Sequence, residues 1–379
     1  MRDPCLILTV LLLITGCAAN APRLPGVTAS ERDRVLSGTA LSADFEQIIP
    51  LPETDIFGLS DEMRQFVNAT VAGLTGEDER IRALLAAVVS PTQLGVQYED
   101  GANYTAREAF QHRRVNCLSF TIMMVSMLRH LGMKVAFNQV DVPPIWDLKG
   151  DTLILSQHVN ALVNKSSGGR KVVDINMGEY ELYYPQRDLD DRMVAALYYN
   201  NRGMDLMLAG EVLQSFTQLH MALDLAPELP YVWTNLGTLY REQGRLAEAE
   251  IAYRLALERE PANLVAISKA ERNYTDLGDL RMAAYFHQRA TGFRQKNPYY
   301  LYSLARDAFL QGDYAGALQN IQAAIGRYRK EHRFFFLQGI IYTARAERDL
   351  ANASFKKALE LTTNQQQQDS YRRKIEKII

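Results

Sequence analysis

Thirty-four residues separate Gly210, Gly244, Gly278 and Gly312, and Ala346 continues the column. The same interval aligns Gly203, Gly237, Glu271, Ala305 and Gly339, and aligns Ser215, Ala249, Ala283, Ala317 and Ala351. A fourth column, Ala222, Ala256, Ala290, Ala324 and Ala358, has no exception in five units. Such a period constrains the fold more than any local propensity, because each unit can cover its apolar face only with its neighbours. Small side chains in fixed columns let two antiparallel helices approach closely, while Leu206, Tyr240, Tyr274 and Tyr342 fill the space between them. About three stacked units are needed for a stable core. Five units over 191–363 therefore predict an all-α solenoid that is self-sufficient. In the tail 364–379 a glutamine run precedes Tyr371, Ile375 and Ile378 among charges, which predicts a polar capping helix.

The preceding residues lack this period. Apolar residues at helical spacing, Met63, Phe66, Val67 and Val71, then Ile81, Leu84, Leu85 and Val88, predict two short helices. Asp61 and Glu77 sit near their starts, where carboxylates complement the helix dipole, and Pro91 stops the second. Residues 105–109 open a third helix. Asn116-Cys117 leads into an almost wholly apolar one that ends at Leu131-Gly132 and must be buried. Segments rich in Val, Ile and Leu at 134–142, 152–155, 158–163 and 171–175 read as strands, with 166–169 a turn between two of them. Residues 55–190 thus predict an α+β domain. Pro22, Pro25, Pro50 and Pro52 mark 17–54 as a tether with one brief helical stretch around 30–36.

A composition of 47% hydrophobic and 23% charged residues is that of a globular chain. With 42 basic and 44 acidic side chains, it lacks the positive surface on which nucleic-acid binding depends. At the N-terminus Arg2 precedes an apolar run over 6–14, about half the roughly 20 residues a membrane-spanning helix needs. Ile14-Thr15-Gly16-Cys17 resembles the bacterial lipobox. The resemblance implies that 1–16 is a signal peptide and that Cys17 carries lipid. With Ala18 following, it also implies a place in the cell envelope on the outer membrane, facing the periplasm. Cys5 leaves with the leader and Cys17 is consumed, so Cys117 is the one thiol of the mature chain and has no disulfide partner within it. A solitary thiol there is either a small core residue or one kept for its reactivity.

Trp233-x2-Leu236-Gly237-x2-Tyr240, continued by Ala249, Tyr253, Ala256 and Pro261, resembles a tetratricopeptide repeat. That resemblance implies a protein or peptide partner in an inner groove lined by Asn200, Asn235, Arg241, Lys269, Arg272 and Arg306. This amide-rich, modestly basic set suits an acidic or extended peptide, against the plainer reading of solvated surface charges.

Asn116-Cys117-Leu118-Ser119-Phe120, with 105–109 upstream and Leu131-Gly132-Met133 downstream, resembles the core of the transglutaminase-like superfamily, as do His158-Val159-Asn160 and Val173-Asp174. There a Cys opens a buried helix, a His follows on a strand and an Asp on the next. The implied fold is a papain/transglutaminase-like α+β domain with Cys117, His158 and Asp174 as its catalytic set. Chemistry agrees, since a helix N-terminus favours thiolate and a His backed by an Asp can carry the proton. Backbone N–H groups at the helix start would receive an oxyanion, with Asn116, Gln97 and Tyr98 only weak side-chain candidates. His112 and His130 are rival bases. The thiol would form an acyl intermediate from an amide, as in a peptidase, amidase or transglutaminase, without cofactor or metal. The alternative is a non-catalytic envelope scaffold that binds through its repeats and a degenerate transglutaminase-like domain.

Overall fold

A computed structural model describes residues 24–42, 54–142, 145–147, 152–154, 157–175, 184–363 and 365–378. The leader and Cys17 lie outside the described residues, as do 43–53 of the expected tether. The helical stretch anticipated near residue 30 is α1 (Ala29–Ser37), started by a capping box between Thr28 and Glu31.

Two amphipathic helices follow, α2 (Asp61–Thr70), capped by Ser60, and α3 (Glu77–Val89). A parallel pair, β1 (Gln97–Tyr98) and β2 (Arg114–Val115), flanks α4 (Ala106–His112), whose first turn is closed by a Thr105–Glu108 capping box. Helix α5 (Cys117–His130) is apolar on every side, and Phe120, Ile122, Met123, Met124, Val125 and Met127 are wholly buried. Burial explains how a helix with no polar face is stable in water.

Behind α5 stands an antiparallel sheet made from β3 (Lys134–Asp141), β6 (Gln157–Asn164), β7 (Arg170–Val173) and β8 (Gln186–Leu189), in the order β7-β6-β3-β8. A hairpin of β4 (Ile145–Asp147) and β5 (Thr152–Ile154) interrupts it. Register pairs Val140 with His158 and Asn138 with Asn160. Val159, Ala161 and Val163 alternate into the same core as α5, so His158 and Asn160 project to the opposite face. Strand β7 ends at Val173, so Asp174 lies just past the strand on which the sequence had put it.

The first helix of the array starts at Asp191. Its helix pairs are α6 (Asp191–Leu208) with α7 (Val212–Leu225), α8 (Pro230–Glu242) with α9 (Leu246–Arg259), α10 (Leu264–Asp276) with α11 (Leu280–Lys296), α12 (Pro298–Leu310) with α13 (Tyr314–Arg327), and α14 (His332–Ala344) with α15 (Arg348–Leu361). All five alanines of the exceptionless column have no exposed surface. At Gly237 a Cβ would stand 2.7 Å from the Tyr253 ring, which is why that column is small. The chain ends on α16 (Gln365–Ile378), whose Tyr371 stacks on Phe336 with ring centroids 4.0 Å apart.

The α/β part and the array are not separate bodies. A single apolar cluster runs from Val35 through α5 and the sheet to Ala290 in α11, and the later units have smaller cores of their own. Arg129 grips Asp191 through two bonds of 2.7 and 2.8 Å. Strand β4 lies against α12, and the Tyr184 hydroxyl donates to Glu331 at 3.3 Å.

The tether expectation is corrected for residues 24–38. Val35 is wholly buried, and the Tyr240 hydroxyl donates to its carbonyl. Arg254 of α9 donates to the carbonyls of Pro25 and Gly26 and pairs with Glu31 at 3.1 Å. A segment rich in proline and polar residues is held because a buried guanidinium satisfies its backbone.

Candidate functional site

Cys117 is the first residue of α5. Asn116 precedes it in extended conformation and accepts the Ser119 N–H on its side-chain oxygen at 2.9 Å. Helix geometry leaves the N–H groups of Cys117 and Leu118 without intrahelical acceptors. Both point along the axis at whatever lies before the helix, with the positive end of the dipole behind them. The thiol is half-buried.

The Thr121 hydroxyl, one turn on, lies 2.7 Å from the Cys117 carbonyl and 2.9 Å from the Val159 carbonyl. One proton shared between these oxygens pins the first turn of α5 to β6 beside His158. Nothing in the sequence singled out Thr121.

His158 Nε2 is 2.5 Å from Asp174 Oδ2, and both side chains are almost completely buried. With Nε2 engaged, the ring nitrogen left for Cys117 is Nδ1. Burial pulls the imidazolium toward its neutral form. The hydrogen bonds and negative charge of Asp174 and then Cys117 outweigh it, and the pKa rises from 6.5 to about 10. At neutral pH the ring is therefore a cation between two anionic or polarisable partners. Asn160, two residues along β6, donates to the same Asp174 oxygen at 3.3 Å, and Asn138 donates to Asn160 at 2.9 Å. Asn160 and the ring thus share one carboxylate oxygen, and Asn138 holds the Asn160 amide in place.

The rival bases have other positions. His112 ends α4 and lies against Tyr104, with ring centroids 4.9 Å apart. His130 is at the far end of α5, within 3.2 Å of Asn68 Oδ1. Gln97 and Tyr98 form β1, where Tyr98 is in register with Val115, two residues before the thiol.

Of the six groove residues, Asn200 is buried and its Oδ1 accepts from Asn235 at 2.8 Å. The Asn235 NH₂ of the second unit is thus satisfied by the Asn200 oxygen of the first. Arg241 is paired with Asp276 at 2.6 Å and touches Glu242. Lys269 is half-buried, and its ammonium is destabilised first by that burial and then by the nearby Arg272 and Arg241. Arg272 and Arg306 are exposed. Three cations therefore gather where α8 meets α10, with Asp276 and Glu242 as partial counter-charges.

Residues 230–263, the span of α8 and α9, match the family model described as tetratricopeptide repeat. Among solved structures the chain is similar to MamA, with 19% identity over 44% of this chain and 91% of that one, at a TM-score of 0.26. It is also similar to YrrB, described as a TPR protein with an unusual peptide-binding site, with 17% identity over 47% and 92% at 0.25. The MamA fragment from Desulfovibrio magneticus RS-1 gives 14% identity over 45% and 96% at 0.26. No curated protein matches. Residues 230–263 thus match a tetratricopeptide repeat, within a helical array that repeats the same two-helix unit five times.

Proposed function

We propose that this chain is a membrane-anchored scaffold of the cell envelope whose repeat array captures an acidic, extended segment of a partner protein. The observation that carries the reading is the clustering of Lys269 with Arg272 and Arg241, because an anion laid against them offsets the burial, and then the repulsion, that destabilise the Lys269 ammonium. Lipid on Cys17 supplies the anchor, as the lipobox resemblance implies. Fluorescence anisotropy with matched acidic and basic peptides tests the capture. Acidic peptides should bind the full chain and weaken with added salt, and Lys269→Glu should reverse the preference. Equal binding of both sets by wild type and variant would remove the groove from the proposal.

A second reading is favoured by one specific arrangement, the hydrogen-bonded series Cys117–His158–Asp174 at the start of a buried helix. In it the thiolate attacks an amide carbonyl, forming a C–S bond while the oxyanion meets the N–H groups of Cys117 and Leu118. Imidazolium gives its proton to the leaving amine as the C–N bond breaks. Water or a second amine then attacks the thioester, the imidazole taking the incoming proton as the C–S bond breaks, which restores the thiolate–imidazolium pair. Asp174 keeps the ring oriented and its charge compensated throughout. Alkylation of Cys117 by iodoacetamide at pH 6 tests this reading, since an ordinary thiol near pKa 8.5 is almost wholly protonated there. Rapid alkylation that His158→Ala abolishes is the expected result. A wild-type profile that follows ordinary thiol ionisation would return Cys117 to the core.

A further inference from the structure

The cap of the thiol helix is wired into the first helix of the repeat array. Asn116 uses Oδ1 to cap Ser119, so its Nδ2 faces away from the helix and donates to Asn103 Oδ1 at 2.6 Å. Asn103 in turn donates from Nδ2 to Asp205 Oδ2 at 2.8 Å, and its Oδ1 also accepts from Asn201 Nδ2 at 3.3 Å. Asp205 and Asn201 belong to α6. Asn103 and Asn116 are both buried, each 6% exposed.

The direction of these bonds matters because an amide can be turned end for end, whereas a carboxylate only accepts. Asp205 therefore fixes Asn103 with its NH₂ toward α6 and its oxygen toward Asn116. That oxygen, with the Asp100 carbonyl at 3.4 Å, takes the Asn116 NH₂ and leaves the Asn116 oxygen toward the Ser119 N–H. Without the carboxylate, Asn103 loses the acceptor-only partner that sets its end-for-end orientation. A reversed Asn103 presents NH₂ to the Asn116 NH₂, and the hold on the cap is weakened.

From this geometry we infer that Asp205, with Asn201, is a positioning residue for Cys117. The first repeat helix is then a working part of the thiol site, beyond any recruiting role of the array. The same series continues away from the site, since Asn200 Nδ2 donates to Asn201 Oδ1 at 3.2 Å and Asn235 donates to Asn200. It reaches the inner residues of the second unit from the N-cap of α5. This inference rests on the thiol reading of Cys117, and its test separates the two.

The experiment follows alkylation of Cys117 by iodoacetamide between pH 5 and 9 in the full chain, quantified on the Cys117 peptide by mass spectrometry so that other thiols do not contribute. Wild type, His158→Ala, Asp205→Ala, Asp205→Asn and Asn201→Ala are compared, with thermal unfolding as a fold control. Asp205→Ala should slow alkylation at pH 6 by about five- to tenfold, the factor a helix N-cap is worth, and move the profile toward that of an ordinary thiol. Asn201→Ala should give a smaller change in the same direction. Asp205→Asn, which keeps an acceptor toward Asn103, should recover at least half of the lost rate. If wild type shows no dependence on His158, the thiol reading itself falls. If it does, and Asp205→Ala keeps the wild-type profile, only the role of α6 is overturned. An Asp205→Asn chain as impaired as Asp205→Ala would also overturn it, because the effect would then come from charge and not from amide orientation.

Discussion

Ala346 occupies the position at which the other four units carry glycine, and it adopts the same left-handed backbone, with φ of 60° against 80°, 69°, 78° and 82° at Gly210, Gly244, Gly278 and Gly312. Its conformation is imposed by the turn. In each unit the third residue after the helix donates back to the carbonyl of the column Leu206, Tyr240, Tyr274, Ala308 and Tyr342, as Arg245 does to Tyr240 at 2.9 Å and Glu347 to Tyr342 at 2.9 Å. This closure requires a left-handed residue at the intervening position. For an L-residue that conformation costs about 1–2 kcal/mol. Ala346→Gly removes the strain but adds about 0.4–1 kcal/mol of conformational entropy to the unfolded chain. The Ala346 methyl is exposed, so no packing is lost with it. The balance is a gain of about 0.5–1 kcal/mol, or about 1–4 °C for a cooperative unit of 150–250 residues. Gly312→Ala is the mirror experiment. A Cβ at Gly312 meets nothing within 4 Å, so its cost is backbone alone and it should destabilise by a similar amount. Urea unfolding reads both, with hydrogen exchange across α14 and α15 for Ala346→Gly and across α12 and α13 for Gly312→Ala. A stabilised Gly312→Ala, or an Ala346→Gly chain that unfolds earlier than wild type, would refute the claim that backbone conformation conserves this column within the chain.

Gly237→Ala should destabilise by about 1–3 kcal/mol in thermal unfolding, because the new methyl stands 2.7 Å from the ring of the buried Tyr253; a neutral result would mean that α8 and α9 separate more easily than their packing indicates. His158 titrates near 10 when folded and near 6.5 when unfolded, so its charge contributes stability that is fully present below about 6.5 and lost as pH rises through about 10. The melting temperature of wild type minus that of His158→Gln should accordingly fall across that window, and a difference that grows with pH would contradict the assigned ion pair. Cys17→Ser should leave the chain unanchored after a carbonate wash, since the remaining apolar run is too short to span; full retention of an unlipidated variant on membranes would exclude the lipid anchor.

The array was legible because its information is periodic. A column of alanines at one interval is visible without any knowledge of distant contacts, and each of those alanines is buried. Helix α5 was legible for a related reason, its composition allowing only burial. Strand β8 was not, because Gln186, Arg187 and Asp188 at a sheet edge carry no apolar alternation, and only Leu189 is buried. Docking of α1 was equally hidden, since Tyr240 and Arg254 lie more than 200 residues away from Val35 and Glu31. At the candidate site, the transglutaminase-like resemblance named Cys117, His158 and Asp174, and Asn116 entered only as a weak side-chain candidate for the oxyanion. Thr121, Asn103 and Asp205 could not be found that way, because a threonine in a helix or an asparagine in a loop has many uses and its partner decides which one applies. The groove shows the same limit from the other side. The repeat resemblance put Asn200 and Asn235 in the inner groove, but did not show that they would bond to each other.

These hidden contacts change what kind of molecule the chain is. Two modules on a tether would work independently, one holding a partner and the other acting on whatever came near. Here one apolar cluster includes α1, α5, the sheet and the first three repeat units. Arg129–Asp191 and Asn103–Asp205 tie the start of α6 and its last turns to opposite ends of α5. A displacement of α6 therefore meets the thiol helix at both ends. Units four and five have their own cores and can open without exposing that cluster. A peptide laid along the inner face thus contacts two different regimes. Over Asn200, Asn235 and Lys269 it presses on elements continuous with Cys117, and over Arg306 it meets units with cores of their own that touch the α/β part through β4 and Tyr184. Under the proposed capture, a segment held near the first units bears on the cluster that contains the thiol helix, whereas one held near the last units reaches it only through those contacts.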